Sequence, residues 1–146
     1  METTPHVLFI EGAIKSKHIE SVLQGFNKAI HSGAHQIFLG QVRADMIEGQ
    51  TVTGIDYSMY PEMAEKVLEQ IIKDAKIKFE VDQILIHHSI GLVEIGQICL
   101  FVAVSSGHRK ACHEAIDYCV ETLKKEVPIF GKEILDNNNH IWKVNQ

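Results

Sequence analysis

The densest set of chemically capable side chains is Ser105-Ser106-Gly107-His108-Arg109-Lys110. A strand pattern ends there and a helical pattern begins. The first turn of a helix carries N–H groups without intrahelical partners and the positive end of the helix dipole, so it stabilises an anion. His108 and Arg109 would grip a phosphate or carboxylate at that point. Cations in a first turn oppose the dipole unless an anion lies between them. The alternative is a serine-capped helix with solvated basic side chains. Lys124 is the second candidate. Near a helix end a lysine is ordinarily a dipole-favoured surface charge; in a partly apolar pocket it can serve as base or nucleophile. The third is Gly40-Gln41-Val42-Arg43. Glycine admits a ligand close to the backbone, and Arg43 supplies a fixed cation. Together Arg43, His108, Arg109 and Lys124 outline one anion-holding site suited to small-molecule chemistry.

Other chemistries lack their patterns. His87 and His88 are adjacent and would point to opposite faces of a strand. His108 and Cys112 are four apart and could share a helix face. There is no CxxC or HExxH spacing, so no metal is expected. GxSxG, P-loop and GxGxxG patterns are missing too, and no cofactor is expected. Cys112 and Cys119 read as small core residues.

The elements that must position these residues follow from periodicity. Ile19, Val22, Leu23, Phe26 and Ile30 predict a helix over Lys17–His31, stopping near Ser32-Gly33. His35–Leu39 reads as a short strand, 45–50 as a loop or hairpin tip, and Thr51–Ser58 as a strand. Pro61 opens a helix whose inner stripe is Met63, Val67, Ile71, Ala75 and Phe79. Strands near 82–88 and 97–104 form an antiparallel hairpin with a long connection holding Gly91 and Gly96. A last helix runs from His108 to Glu126, with Ala111, Ala115, Cys119 or Val120, and Leu123 inward. Pro128 ends it. The tail 129–146 shows little periodicity. Mixed helices and hairpins predict an α+β fold.

The chain has 146 residues, is 45% apolar and 23% charged, and carries a net charge of −5. That length and composition predict one globular domain over 1–146 with a real core. The acidic balance argues against a nucleic-acid partner, so any positive site must be local. Met-Glu-Thr-Thr-Pro-His lacks the basic and apolar regions of a signal peptide, and no apolar run reaches membrane-span length. Three cysteines fit a reducing compartment. A cytoplasmic protein without a membrane partner is expected.

Four segments, in order, resemble the large, catalytic subunit family of molybdopterin synthase. Gly33-Ala34-His35-Gln36-Ile37-Phe38-Leu39-Gly40-Gln41-Val42-Arg43 looks like its Gly-Ala…Phe-x-Gly-x-Val-Arg motif. Tyr57-Ser58-Met59-Tyr60-Pro61-Glu62-Met63-Ala64 looks like Tyr-Glu-x-Tyr-x-x-Met-Ala, and Ser105–Arg109 matches Ser-Ser-x-His-Arg. Lys124…Val127-Pro128-Ile129-Phe130 with Glu133 and Trp142 resembles Lys-x-x-Val-Pro-Ile-Trp-Lys-Lys-Glu…Trp. The resemblance implies an α/β-hammerhead fold, with an antiparallel sheet packed by helices, and a homodimeric core. It implies a small ubiquitin-like sulfur carrier bound at each end, making a heterotetramer. The carrier's C-terminal Gly-Gly thiocarboxylate would give two sulfurs to cyclic pyranopterin monophosphate, forming the dithiolene of molybdopterin. Gln41, Val42, Arg43, His108, Arg109, Lys124, Gly131, Lys132 and Glu133 would bind substrate, with Lys124 and Lys132 catalytic. Three positions depart from the pattern: Ser58, Ser89 and Gly131. Gly131 stands where the family has its second functional lysine, so either Lys132 serves from one residue on or that role is weakened. A noncatalytic binding module for the carrier is the alternative.

One helix carries both Arg109 and Lys124. Fifteen residues at 1.5 Å each separate them by about 22 Å. A pterin-sized substrate can hardly touch both from one copy. The site is therefore expected to be composite, with His108 and Arg109 from one subunit and Lys124 from its neighbour.

Overall fold

The computed structural model describes residues 4–143. The reading of the N-terminus falls partly on residues 1–3, and that of the tail partly on 144–146; both lie outside the described residues. The elements run β1 (Val7–Glu11), α1 (Ser16–Phe26), β2 (Ala34–Gln41), β3 (Met46–Ile47), β4 (Gln50–Met59), α2 (Pro61–Phe79), β5 (Gln83–Glu94), β6 (Ile98–Ser106), α3 (Arg109–Glu126), β7 (Ile129–Leu135) and β8 (His140–Trp142). The sheet order is β2-β6-β5-β4-β7-β8, with β1 beside β5 and β3 beside β4. Among the described residues, only the β1–β5 pair is parallel. The expected α+β architecture, an antiparallel sheet packed with helices, is the one observed.

Strand β6 is apolar almost throughout, and β5 is apolar over Ile84–Ile86, where both faces are covered. Ile84, Ile86, Leu100, Val102 and Val104 join the core beneath α2 and α3. The alternate residues Leu85, Phe101 and Ala103 pack with Val22 and Phe26 of α1. A strand buried on two sides shows no apolar–polar alternation to read. His87 and His88 follow the same alternation, as expected. His87 meets His18 of α1 at 2.8 Å, whereas the His88 ring lies across that of Tyr57.

Strand β5 is longer than its periodicity suggests. Its first part pairs with β6 on one side and β1 on the other, up to Ile90. From Gly91 onward it pairs with β4. Gly91 has φ +78°, and a Cβ there would run into the Glu11 carboxylate. This bend joins the part of the sheet under the helices to the β4–β7–β8 part. The supposed long connection is thus mostly strand.

Other expectations need correction. Helix α1 ends at Phe26 rather than near Ser32, and turns follow. Ile30, counted as part of its stripe, is exposed and gains no burial. Helix α2 buries Ala64, Leu68, Ile71, Ile72 and Ala75, leaving Met63 exposed. The aperiodic tail contains two strands. Strand β7 lies antiparallel to β4, and β8 lies antiparallel to β7.

Candidate functional site

A cleft of about 340 Å³ opens between the end of α3, the end of β2, and the β4–β7 face. Strand β2 delivers its first side. The register slips between Gly40 and Gln41, and the chain leaves the ladder there. Val42 is only 2% exposed, and its N–H donates to the Gln97 carbonyl at 3.0 Å. That anchor holds Gln41 and Arg43, on either side of it, at the cleft. Val42, expected to bind substrate, has its side chain buried in the core. Arg43 is exposed and lies 3.3 Å from the Asp45 carboxylate.

Helix α3 delivers the second side. Pro128 forces its predecessor out of the helical region. Val127 accordingly caps α3 in an extended conformation, its N–H donating to the Leu123 carbonyl at 3.0 Å. Lys124 therefore sits in the last turn, where the helix dipole favours a cation, and lines the cleft with Leu123 and Val127. Strand β7 starts directly afterwards and contributes Ile129, Gly131 and Glu133.

Strand alternation decides the fate of Lys132. Gly131 and Glu133 face the cleft, so Lys132 between them turns to the other face. It pairs in register with Asp56 and Trp142 and does not line the cleft. Within this chain Lys132 therefore does not share the cleft face with residue 131. His108 and Arg109 also stand apart. They lie at the opposite end of α3 from Lys124, exposed and outside the cleft lining. The N-cap residue is His108, and it makes no side-chain capping bond, so the serine-capped alternative does not describe this helix. One chain brings together Gln41, Arg43, Lys124, Gly131 and Glu133. It leaves His108, Arg109, Lys132 and the buried Val42 elsewhere.

Tyr57, His88, Cys99 and Lys143 also line the cleft and were not singled out for it from sequence. His88 Nδ1 donates to the Ser89 carbonyl at 2.7 Å. Burial holds its pKa below the ordinary value. The ring is therefore neutral at neutral pH, with Nε2 as its acceptor. Tyr57 and Cys99 are neighbours in the lining, and the Cys99 thiol donates to the Gly40 carbonyl at 3.5 Å. Burial pushes both the phenol and the thiol up, with their mutual contact and Glu133 adding to the shift of Tyr57. Cys99 is accordingly a thiol at neutral pH, not a poised thiolate nucleophile. Lys143 Nζ lies 3.7 Å from Glu133 Oε1. The lining holds three cations, Arg43, Lys124 and Lys143, against two carboxylates, Asp45 and Glu133. In a chain of net charge −5, this concave surface carries one more cation than carboxylates. Among the described residues no group of three or more His, Cys, Asp or Glu is arranged to hold a metal ion. No helix among them is long and apolar enough to cross a membrane.

The family model described as "MoaE protein" matches residues 12–126. The chain belongs to the MoaE family. Within that family it is 38% identical over 114 residues to the molybdopterin synthase catalytic subunit of Bos taurus, a stretch covering 78% of this chain and 60% of the bovine protein. The corresponding subunit of Thermoplasma volcanium is 39% identical over 111 residues, covering 76% of this chain and 80% of that one. The chain thus spans about three-fifths of the bovine relative and most of the archaeal one. The crystal structure of molybdopterin synthase from Staphylococcus aureus superposes with a TM-score of 0.83 at 30% identity, over 97% of this chain and 99% of that one. A protein–protein complex of subunits 1 and 2 of molybdopterin-converting factor from Helicobacter pylori shares the fold, with a TM-score of 0.81 at 23% identity, covering 97% and 92%.

Proposed function

We propose that this MoaE-family chain is the catalytic subunit of molybdopterin synthase, a sulfurtransferase of molybdenum cofactor biosynthesis. Two sulfurs pass from a thiocarboxylated, ubiquitin-like carrier to cyclic pyranopterin monophosphate. The observation that carries this reading is the meeting of Arg43 and Lys124 in one cleft that has a surplus of cations. A phosphate-bearing substrate and an anionic thiocarboxylate tail both suit such a cleft. Arg43 holds the substrate phosphate. Lys124 moves protons or stabilises negative charge that develops as sulfur attacks.

The same reading makes the working unit a homodimer with a carrier at each end. The neighbour's His108 and Arg109 then complete the phosphate site that each chain leaves unfinished. The Helicobacter protein of like fold is itself seen in a complex of two different subunits, which suits a carrier partner for this chain.

Reconstitution with thiocarboxylated carrier and cyclic pyranopterin monophosphate tests the reading. The wild-type chain is expected to form molybdopterin, and Lys124→Ala to slow it by about 100-fold or more, the usual scale for losing a proton-transfer or charge-stabilising group. Normal turnover by Lys124→Ala would remove that lysine from the mechanism. Carrier binding without product from wild type would favour a noncatalytic binding module.

A further inference from the structure

Strand pairing places one row of residues across three strands. Tyr57 of β4 is in register with Gly131 of β7. Beyond the end of β8, the Lys143 N–H donates to the Gly131 carbonyl at 2.8 Å. Lys143 thus continues the antiparallel register, opposite Gly131. Antiparallel partners share a sheet face, so Lys143 projects on the cleft side with Tyr57 and Glu133, and it lines the cleft.

Residues 131 and 143 are close neighbours on that face. A Cβ at residue 131 would lie 3.6 Å from Lys143 Cβ, 3.3 Å from Tyr57 Cε1 and 3.0 Å from Ile55 Cγ2. The Lys143 stem therefore lies against the spot from which a side chain at 131 would start. Its ammonium stays in the cleft, 3.7 Å from the Glu133 carboxylate, whose side chain is only 9% exposed. Lys143 and Lys124 both line this cleft, and the charges of both bear on the Cys99 sulfur.

We infer that Lys143 is the second substrate-facing lysine of this site, supplying from just past the end of the neighbouring strand the cation that Gly131 cannot. The inference rests on the sulfurtransferase reading, since that reading puts an anionic substrate and carrier tail in the cleft. Lys143 acts as a fixed positive charge beside Lys124, held in place by Glu133 and by its backbone bond to Gly131. It does not require Lys132, which faces away.

Two variants separate the charge of Lys143 from its packing. Lys143→Met keeps the aliphatic stem and removes the ammonium; Lys143→Arg keeps a cation. Both are assayed for product formation with thiocarboxylated carrier and cyclic pyranopterin monophosphate, with urea unfolding run in parallel. The expected result is a loss of about 10- to 1,000-fold for Lys143→Met while the protein remains folded, the range spanned by removing one charge-stabilising group. Lys143→Arg should remain within about threefold of wild type, the margin of a charge retained in changed geometry. Wild-type rates in a folded Lys143→Met overturn the inference and leave the sulfurtransferase reading intact. Equal losses in Met and Arg variants, or a loss that only tracks the unfolded fraction, overturn it as well, because charge is then not what the site uses. A wild-type chain that forms no product ends the sulfurtransferase reading, and this inference with it.

Discussion

At the residue scale, the buried histidines make stability depend on pH. His87 is fully buried in a chain of contacts from His18 to the Pro5 carbonyl. Burial, reinforced by the charge of His18, lowers its pKa to about 4, although the bond to Pro5 works the other way. Above the unfolded value of 6.5 the imidazole is neutral in both states, and the stability is present in full. As pH falls below that value, the unfolded chain takes up the proton first and stability drains away until the folded group protonates near 4. The limit for this one group is on the order of 3 kcal/mol. His18 and His88 are lowered too and act in the same sense. The urea midpoint of wild type should therefore fall between about pH 6.5 and 4, the window set by the His87 shift. His87→Leu should show a shallower fall, whatever its stability at neutral pH; an unchanged slope would assign the effect to other groups.

At the element scale, the bend in β5 does the joining. Its first part is clamped between β1 and β6, and its last residues pair with β4. His88 belongs to the first part and Tyr57 to β4, yet their rings meet at 5.0 Å in the cleft. The turn between them depends on a left-handed residue, Gly91 at φ +78°. An L side chain in that conformation costs about 1–2 kcal/mol. Gly91→Ala should lower the urea midpoint accordingly with an unchanged m-value, since the surface exposed on unfolding is the same. An unshifted midpoint would mean that the bend tolerates a side chain and that Glu11 simply moves aside. The pairing of β8 on β7 acts at the same scale, because it carries Lys143 to the cleft.

At the scale of the whole molecule, the length of α3 is the constraint. It puts His108 and Arg109 at one end and Lys124 at the other. A twofold dimer that completes each cleft with its neighbour's basic pair has two shared sites. Arg109→Ala and Lys124→Ala chains, each nearly inactive alone, would regain activity on mixing. A one-to-one mixture that exchanges freely gives half heterodimers, each with one intact site, so recovery should approach about a quarter of wild type. Subunit exchange, seen by mass, without any recovery would place all the needed residues within one chain.

Much of this was legible in the residues alone. Local periodicity announces α2 and α3, because an amphipathic helix repeats its burial pattern within a few residues. Pro128 marks the end of α3 and hence the place of Lys124 in its last turn. The motif around Gly40 and Arg43 marks the other wall. The α+β class follows from the mixture of elements. Tertiary structure decided the remainder, because strand pairing joins residues far apart in the chain and leaves little local trace. Strand β1 gains its place only beside β5, and β7 and β8 gain theirs only beside β4 and one another. Alternation along β7 turned Lys132 from the cleft, and burial withdrew Val42 into the core. The row Tyr57–Gly131–Lys143 spans three strands and could not be seen until their register was known. Arg43 and Lys124 were readable as cations; that they share one cleft, with Lys143 beside them, depended on the fold that brings those strands and α3 together.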